Sequence, residues 1–158
     1  MDSFFIFAAE YLYLVSVGIL GVYFLLQPRR TWRRLALFAI PAGLLALLFG
    51  TIANHLYFDP RPFVVGHFTP LVPHAPDNGF PSDHTLLVST VAMIGTFWNR
   101  RLGIALWLLA ALVAYARVYV GVHHTIDVLA SVFLATAGVF VWHALSKRVR
   151  NDSPSIPR

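Results

Sequence analysis

Cysteine is absent from the 158 residues, which excludes a disulfide framework and a thiolate metal site. Charge is scarce. Asp, Glu, Lys and Arg make up 12% of the chain, against about 25% in ordinary soluble domains. Hydrophobic residues make up 58% and the mean hydropathy is +0.67. A soluble core of this size cannot hide that much apolar surface, so the expected solvent is lipid. Acids are the rarer sign, seven against twelve bases. The resulting pI of about 10.1 implies nucleic acid only if the bases form a binding face. No internal repeat is visible. The first residues, MDSFFIFAAEYLYL, lack a basic start and a small-residue cleavage site, so they read as a retained helix. The length fits one domain, expected over 1–150, with NDSPSIPR at 151–158 a disordered tail.

Long apolar runs are what the chain has in abundance. A spanning helix needs about 20 of them in succession. Five candidates follow, at about 4–26, 35–57, 82–98, 102–119 and 123–145, the third being short. The expected fold is therefore all-α, an integral membrane helical bundle of about five transmembrane helices. Between the second and third runs lies 58–81, whose six prolines predict an ordered loop. Arg29, Arg30, Arg33 and Arg34, then Arg100 and Arg101, then Lys147, Arg148, Arg150 and Arg158 all fall on one side of such a bundle. The positive-inside rule makes that side cytoplasmic, with the N-terminus outside and the C-terminus inside. Trp32, Trp98 and Trp142 near those helix ends fit an interfacial belt. The high pI is thus explained by topology, and no nucleic-acid partner is expected.

Arg61 and Arg117 fall on the other side and oppose the topology rule, so they need local partners. Asn54, His55 and Asp59 precede Arg61, Ser82-Asp83-His84 opens the third run, and His123 and Asp127 open the fifth. Ionisable groups beside membrane spans are costly and mark function. These suit phosphoryl transfer. Two guanidinium groups match phosphate oxygens, and a helix start at Ser82 offers free N–H groups and a favourable dipole. His123 and Asp127, four apart at a helix start, share a face. A carboxylate there fixes the imidazole tautomer and frees the other nitrogen to attack, while His84 protonates a leaving oxygen. His67, His74 and His143 read as structural and His124 as secondary. Glu10 fits either a site lining or an interfacial position, and Asp83 either a helix-dipole partner or a site group.

At these residues the chain resembles the type-2 phosphatidic acid phosphatase superfamily, whose motifs are Lys-x6-Arg-Pro, Pro-Ser-Gly-His and Ser-Arg-x5-His-x3-Asp. Here they read Asn54-HLYFDP-Arg61-Pro62, Pro81-Ser82-Asp83-His84 and Ala116-Arg117-VYVGV-His123-HTI-Asp127. The stretch PHAPDNGFPSDHT looks most like the bacitracin-resistance-type undecaprenyl pyrophosphate phosphatases. The resemblance implies a phosphohistidine at His123 oriented by Asp127, and His84 as the acid. It implies phosphate contacts from Arg61, Arg117 and Ser82, with Asn54 in the place of the usual lysine. It implies no metal or other cofactor, and no clustered carboxylate site is legible in the sequence. The expected substrate is a polyprenyl pyrophosphate at the outer face of a bacterial cell (inner) membrane. The departures at Asn54, Asp83 and Ala116 leave open how the phosphate charge is met. A phosphatase of phosphatidate or phosphatidylglycerophosphate is the nearest alternative; a haem-binding electron carrier and a transporter are remote ones. The oligomeric state is left open.

Overall fold

The computed structural model describes residues 1–151, with side chains through residue 148. The expected tail lies outside them apart from Asn151, which ends a helix. The elements are α1 (Asp2–Leu25), α2 (Arg29–Leu56), α3 (Pro62–Val65), α4 (Asp83–Trp98), α5 (Arg100–Tyr119) and α6 (Thr125–Asn151). Among the described residues there is no named strand, and one isolated β-bridge pairs Pro60 with Asn78.

Four of these helices, α1, α2, α5 and α6, are long and apolar enough to cross a bilayer. The protein is a multi-pass, all-helical membrane protein. The expectation of five spans meets a qualification at α4. Its 16 residues extend only about 24 Å at 1.5 Å per residue, short of a hydrocarbon core of about 30 Å. Its surroundings explain the length. It packs against α1, α2, α5 and α6, and Thr85, Leu86, Val88–Ala92, Ile94 and Gly95 are all buried. A central pillar sheathed by other helices does not have to meet lipid along its own length. The outer helices show the reverse pattern. In α1 only Ala8, Ala9, Ser16 and Leu20 are buried, while Phe4, Phe7, Leu14 and Val22 are exposed, as a lipid-facing surface requires.

Two boundaries differ from the sequence reading. The second helix begins at Arg29 rather than 35, because Pro28 supplies its N-cap and unbranched arginines are good helix formers. The last helix begins at Thr125 rather than 123, so His123 stands in the preceding turn. That turn depends on Gly121, at φ +82°, where a Cβ would also meet the Phe68 ring at 2.6 Å. At the opposite end one residue joins α4 to α5. Asn99 accepts from the N–H groups of Arg101 and Leu102 at 2.9 and 3.1 Å, capping α5 and fixing a tight antiparallel pair.

Candidate active site

The end of α2, the 58–81 loop, the start of α4 and the α5–α6 turn meet at one end of the bundle. Their meeting is arranged by Asn78. Its amide oxygen accepts from the N–H groups of Asp59 and Phe80 at 2.9 and 3.0 Å, and its amide nitrogen donates to the carbonyls of Asn54 and Tyr57 at 3.0 and 2.9 Å. One side chain thereby staples the loop to the helix end. Gly79 follows, its N–H on the Asp59 carbonyl at 2.8 Å. A Cβ at Gly79 would meet Asp59 O, Asp127 Oδ2 and Arg61 Cγ at 3.2–3.4 Å, so glycine lets the backbone slide in beside the site.

His123 is buried. Its Nδ1 lies 2.8 Å from the Gly79 carbonyl and 3.4 Å from Asp127 Oδ2. A carbonyl oxygen only accepts, so Nδ1 carries the proton and Nε2 presents its lone pair. The expectation put His123 and Asp127 on one helical face with Asp127 orienting the imidazole; His123 instead precedes the helix, and the Gly79 carbonyl is the nearer partner, with the Asp127 carboxylate at 3.4 Å. On the other side, Arg61 Nη1 and Arg117 Nη2 each approach Nε2 at 3.4 Å. The two guanidinium groups therefore frame the lone pair.

Both arginines are buried, at 5% and 3% exposure. Arg61 is well anchored. Its Nε donates to Asp77 Oδ1 at 2.7 Å and its Nη1 to the Val122 carbonyl at 2.9 Å. Arg117 is not. Its Nη1 reaches the Ala9 carbonyl only at 3.5 Å, and its Nε is buried with no partner. No carboxylate lies within ion-pair distance of it among the described residues, although the charges of Asp83 and Glu10 reach it. A buried cation without a counter-ion is expensive, and an anion in this space relieves it.

Ser82 caps α4 fully buried; its Oγ accepts from Thr85 Oγ1 at 3.1 Å, and its carbonyl accepts from Ser131 Oγ at 2.9 Å. His84 is half-buried, with its ring edge-on to Tyr13 at 4.7 Å, and within electrostatic reach of Arg117, His123 and His74. Asp83 is exposed, and its charge reaches Arg117 without an ion pair between them. Asn54 donates to the Phe80 carbonyl at 2.7 Å and so ties the end of α2 to the loop; among the described residues no hydrogen bond joins its side chain to Arg61, Arg117 or His123.

Burial and the charges of Arg117 and Arg61 together push the His123 imidazole below its ordinary value, against an opposing pull from Asp127. It is neutral at neutral pH, as a nucleophile or acceptor must be. His74 is lowered in the same way, by burial and then by Arg61 and Arg117. Partial burial pushes Asp77 up, but its hydrogen bond and charge contact with Arg61 outweigh this and hold it low.

Behind the site, the structure corrects the sequence reading that no carboxylates cluster. Asp59, His124 and Asp127 place one ligating atom each within 4.8 Å of one another, a spacing that a cation could span. Hydrogen bonds occupy part of the set: His124 N–H donates to Asp127 Oδ2 at 2.8 Å and His124 Nδ1 meets Asp59 Oδ2 at 3.0 Å, while Asp127 Oδ1 is buried with no partner among the described residues. Burial and the neighbouring Asp127 carboxyl raise Asp59 above the usual carboxylate value, against an opposing pull from His124.

The arrangement is a neutral imidazole aimed between two guanidinium groups at a helix start, which suits attack on a phosphoryl group. Comparison with known proteins agrees. The PAP2 superfamily profile matches residues 35–150. The chain belongs to the PAP2 superfamily. It is 33% identical over 150 residues to undecaprenyl-diphosphatase BcrC of Bacillus subtilis (strain 168), covering 95% of this chain and 77% of that one. It is 32% identical over 154 residues to the putative undecaprenyl-diphosphatase YbjG of Escherichia coli (strain K12), covering 94% and 77%. The crystal structure of Aquifex aeolicus LpxE superposes with a TM-score of 0.75 over 90% of this chain and 85% of that one, at 24% identity, which speaks for the fold. As a member of this superfamily with such relatives, the protein is a hydrolase.

Sequence reasoning passed over Asp77, Asn78 and Gly79, and read as structural His74, whose ring stands 6.4 Å from that of His123. All four lie within the PHAPDNGFPSDHT stretch, so the signal was their adjacency to the second motif of the PAP2 pattern.

Proposed function

We propose that this protein removes the terminal phosphate from undecaprenyl diphosphate through a phosphohistidine at His123. The observation that carries the reading is the framing of His123 Nε2 by two buried guanidinium groups, one with an unpartnered Nε. The relatives named for undecaprenyl diphosphate supply the substrate class.

In this mechanism the terminal phosphoryl group enters between Arg61 and Arg117. Its equatorial oxygens take hydrogen bonds from both guanidinium groups, from the Ser82 hydroxyl and from the free N–H groups at the start of α4. His123 Nε2 attacks phosphorus in line; an N–P bond forms and the bond to the bridging oxygen breaks. The proton stays on Nδ1, which donates it as a hydrogen bond to the Gly79 carbonyl, and Asp127 offsets the positive charge growing on the ring. His84 delivers a proton to the departing lipid phosphate. Water then gives a proton to His84 and attacks phosphorus; the N–P bond breaks, inorganic phosphate leaves, and the neutral imidazole of His123 returns.

In this reading the chain crosses five times within a single domain over 1–150, with the N-terminus outside, and the site lies at the extracytoplasmic face of the bacterial inner membrane. The arginine distribution supports that orientation. The same activity would recycle the lipid carrier of cell-wall synthesis and confer bacitracin resistance. A haem or transport role finds less support, since the guanidinium groups at His123 would repel a metal cation.

The test measures phosphate release from undecaprenyl diphosphate and from phosphatidate in detergent, with acid-labile trapping of labelled phosphate on the protein. Faster release from the diphosphate, and label lost in His123→Ala, are expected. Equal or greater activity on phosphatidate would defeat the substrate assignment, and label retained in His123→Ala would defeat the intermediate.

A further inference from the structure

His74 is not part of the PAP2 motifs, yet it borders the space in front of His123. The two rings stand edge to face with centroids 6.4 Å apart. The charges of Arg61, Arg117 and Asp77 reach His74, and its own charge reaches His84. Its orientation is set from behind. Nδ1 lies 3.3 Å from the Ala75 carbonyl and 3.9 Å from Asp77 Oδ1, and Asp77 is itself tied to Arg61 at 2.7 Å. Pro73 and Pro76 flank the short segment and restrict its backbone. Nε2 has no partner among the described residues, and a quarter of the side chain remains exposed.

Charge balance shows what such a group is for. Asp77 already pairs with Arg61, so Arg117 brings the guanidinium charge without a carboxylate ion pair. A phosphomonoester presents one phosphoryl group, which the two arginines and the start of α4 can surround. A diphosphate brings a second phosphate with further negative charge, and the arginines are already committed. The neutral imidazoles at the site are the remaining source of positive charge, because an arriving anion favours their protonation. His84 is placed for the bridging oxygen, which leaves His74.

We infer that His74 is a specificity-determining residue that donates from Nε2 to the phosphate departing with the lipid, and so favours lipid diphosphates over lipid phosphomonoesters. The inference rests on the diphosphatase reading above. A hydrogen bond to a charged group is commonly worth about a 10- to 100-fold change in an equilibrium or rate.

The experiment uses the full chain in detergent, wild type and the variants His74→Ala and His74→Gln, with a polyprenyl diphosphate and with phosphatidate. His74→Ala should lower kcat/KM on the diphosphate by about 10-fold or more while activity on phosphatidate changes by less than about threefold. His74→Gln, which keeps a donor without charge, should fall between. The phosphatidate rate doubles as the control for folding. Equal losses on both substrates would make His74 a loop-holding residue, and no loss on the diphosphate would remove it from the site; either overturns the inference. A wild-type protein that releases no phosphate from the diphosphate fails differently, sinking the functional reading and this one with it.

Discussion

The two ends of the bundle use the same residue types for different work. At the end opposite the site, Arg29, Arg30, Arg33, Arg34, Arg100, Arg101, Lys147 and Arg148 are all exposed. His143 there stacks on Phe97 with ring centroids 4.2 Å apart, beside Phe38 at 5.9 Å. At the site end, Arg61 and Arg117 are buried and His123 sits between them. Solvated cations cost nothing to keep and set orientation in the membrane. Buried ones must be answered by an anion. Burial and partners, rather than residue identity, separate a solvated arginine from one held in the candidate site, and an aromatic-stacked histidine from one framed by two guanidinium groups.

The comparison can be broken by paired substitutions. The largest effect belongs to His123→Ala, expected to reduce phosphate release by about a thousandfold or more, as loss of a nucleophile does, while His143→Ala at the other end leaves kcat within a few-fold. Equal losses would mean that the two histidines are alike in kind. Next, Arg117→Ala should cost about 100- to 1,000-fold in kcat, the range for removing a donor that stabilises transition-state charge. Arg101→Ala, with its side chain in water, should change kcat less than about twofold. A smaller effect is expected from Gly79→Ala. The added methyl presses on Asp59 O, Asp127 Oδ2 and Arg61 Cγ at 3.2–3.4 Å, shifting the carbonyl that holds His123. A drop in kcat of about tenfold, in line with small displacements of catalytic groups, should come with little change in KM; an unchanged kcat would remove Gly79 from the positioning role.

The smallest effect is a shift in a pH profile. His123 must be neutral to attack, and its folded value is lowered by burial, Arg117 and Arg61. Activity is therefore full above that value and falls as pH drops through it. The acid limb of log kcat/KM should have its midpoint below the ordinary 6.5 of a histidine. In Arg117→Ala, where residual activity can be followed, the midpoint should move up because one opposing charge is gone. A limb that stays put would show that Arg117 does not act on His123 electrostatically.

Much of the site was legible because its motifs are local. Arg117 and His123 lie six residues apart across a single turn, and Ser82 and His84 share a helix start, so spacing alone announces them. Arg61 was marked by standing against the arginine distribution. Asn78 gave no such sign. Its four hydrogen bonds reach residues as far back as Asn54, and nothing in its neighbours' periodicity indicates them. The Asp59–His124–Asp127 cluster was missed for the same reason, since 65 residues separate Asp59 from His124. The α4 helix was half legible: its run is apolar, but its 16-residue length makes sense only once four helices are seen around it.

Composition and apolar run length, set residue by residue, determined that this chain is a helical membrane protein, and motif spacing determined which histidines and arginines to watch. Only the packing of the 58–81 loop against the α5–α6 turn decided that a glycine carbonyl would meet His123 Nδ1, that Arg117 would be buried with no ion-pair partner among the described residues, and that His74 would border His123. Those outcomes depend on contacts between segments distant along the chain, and the free energy of such contacts is fixed by where the backbone comes to rest rather than by any local preference.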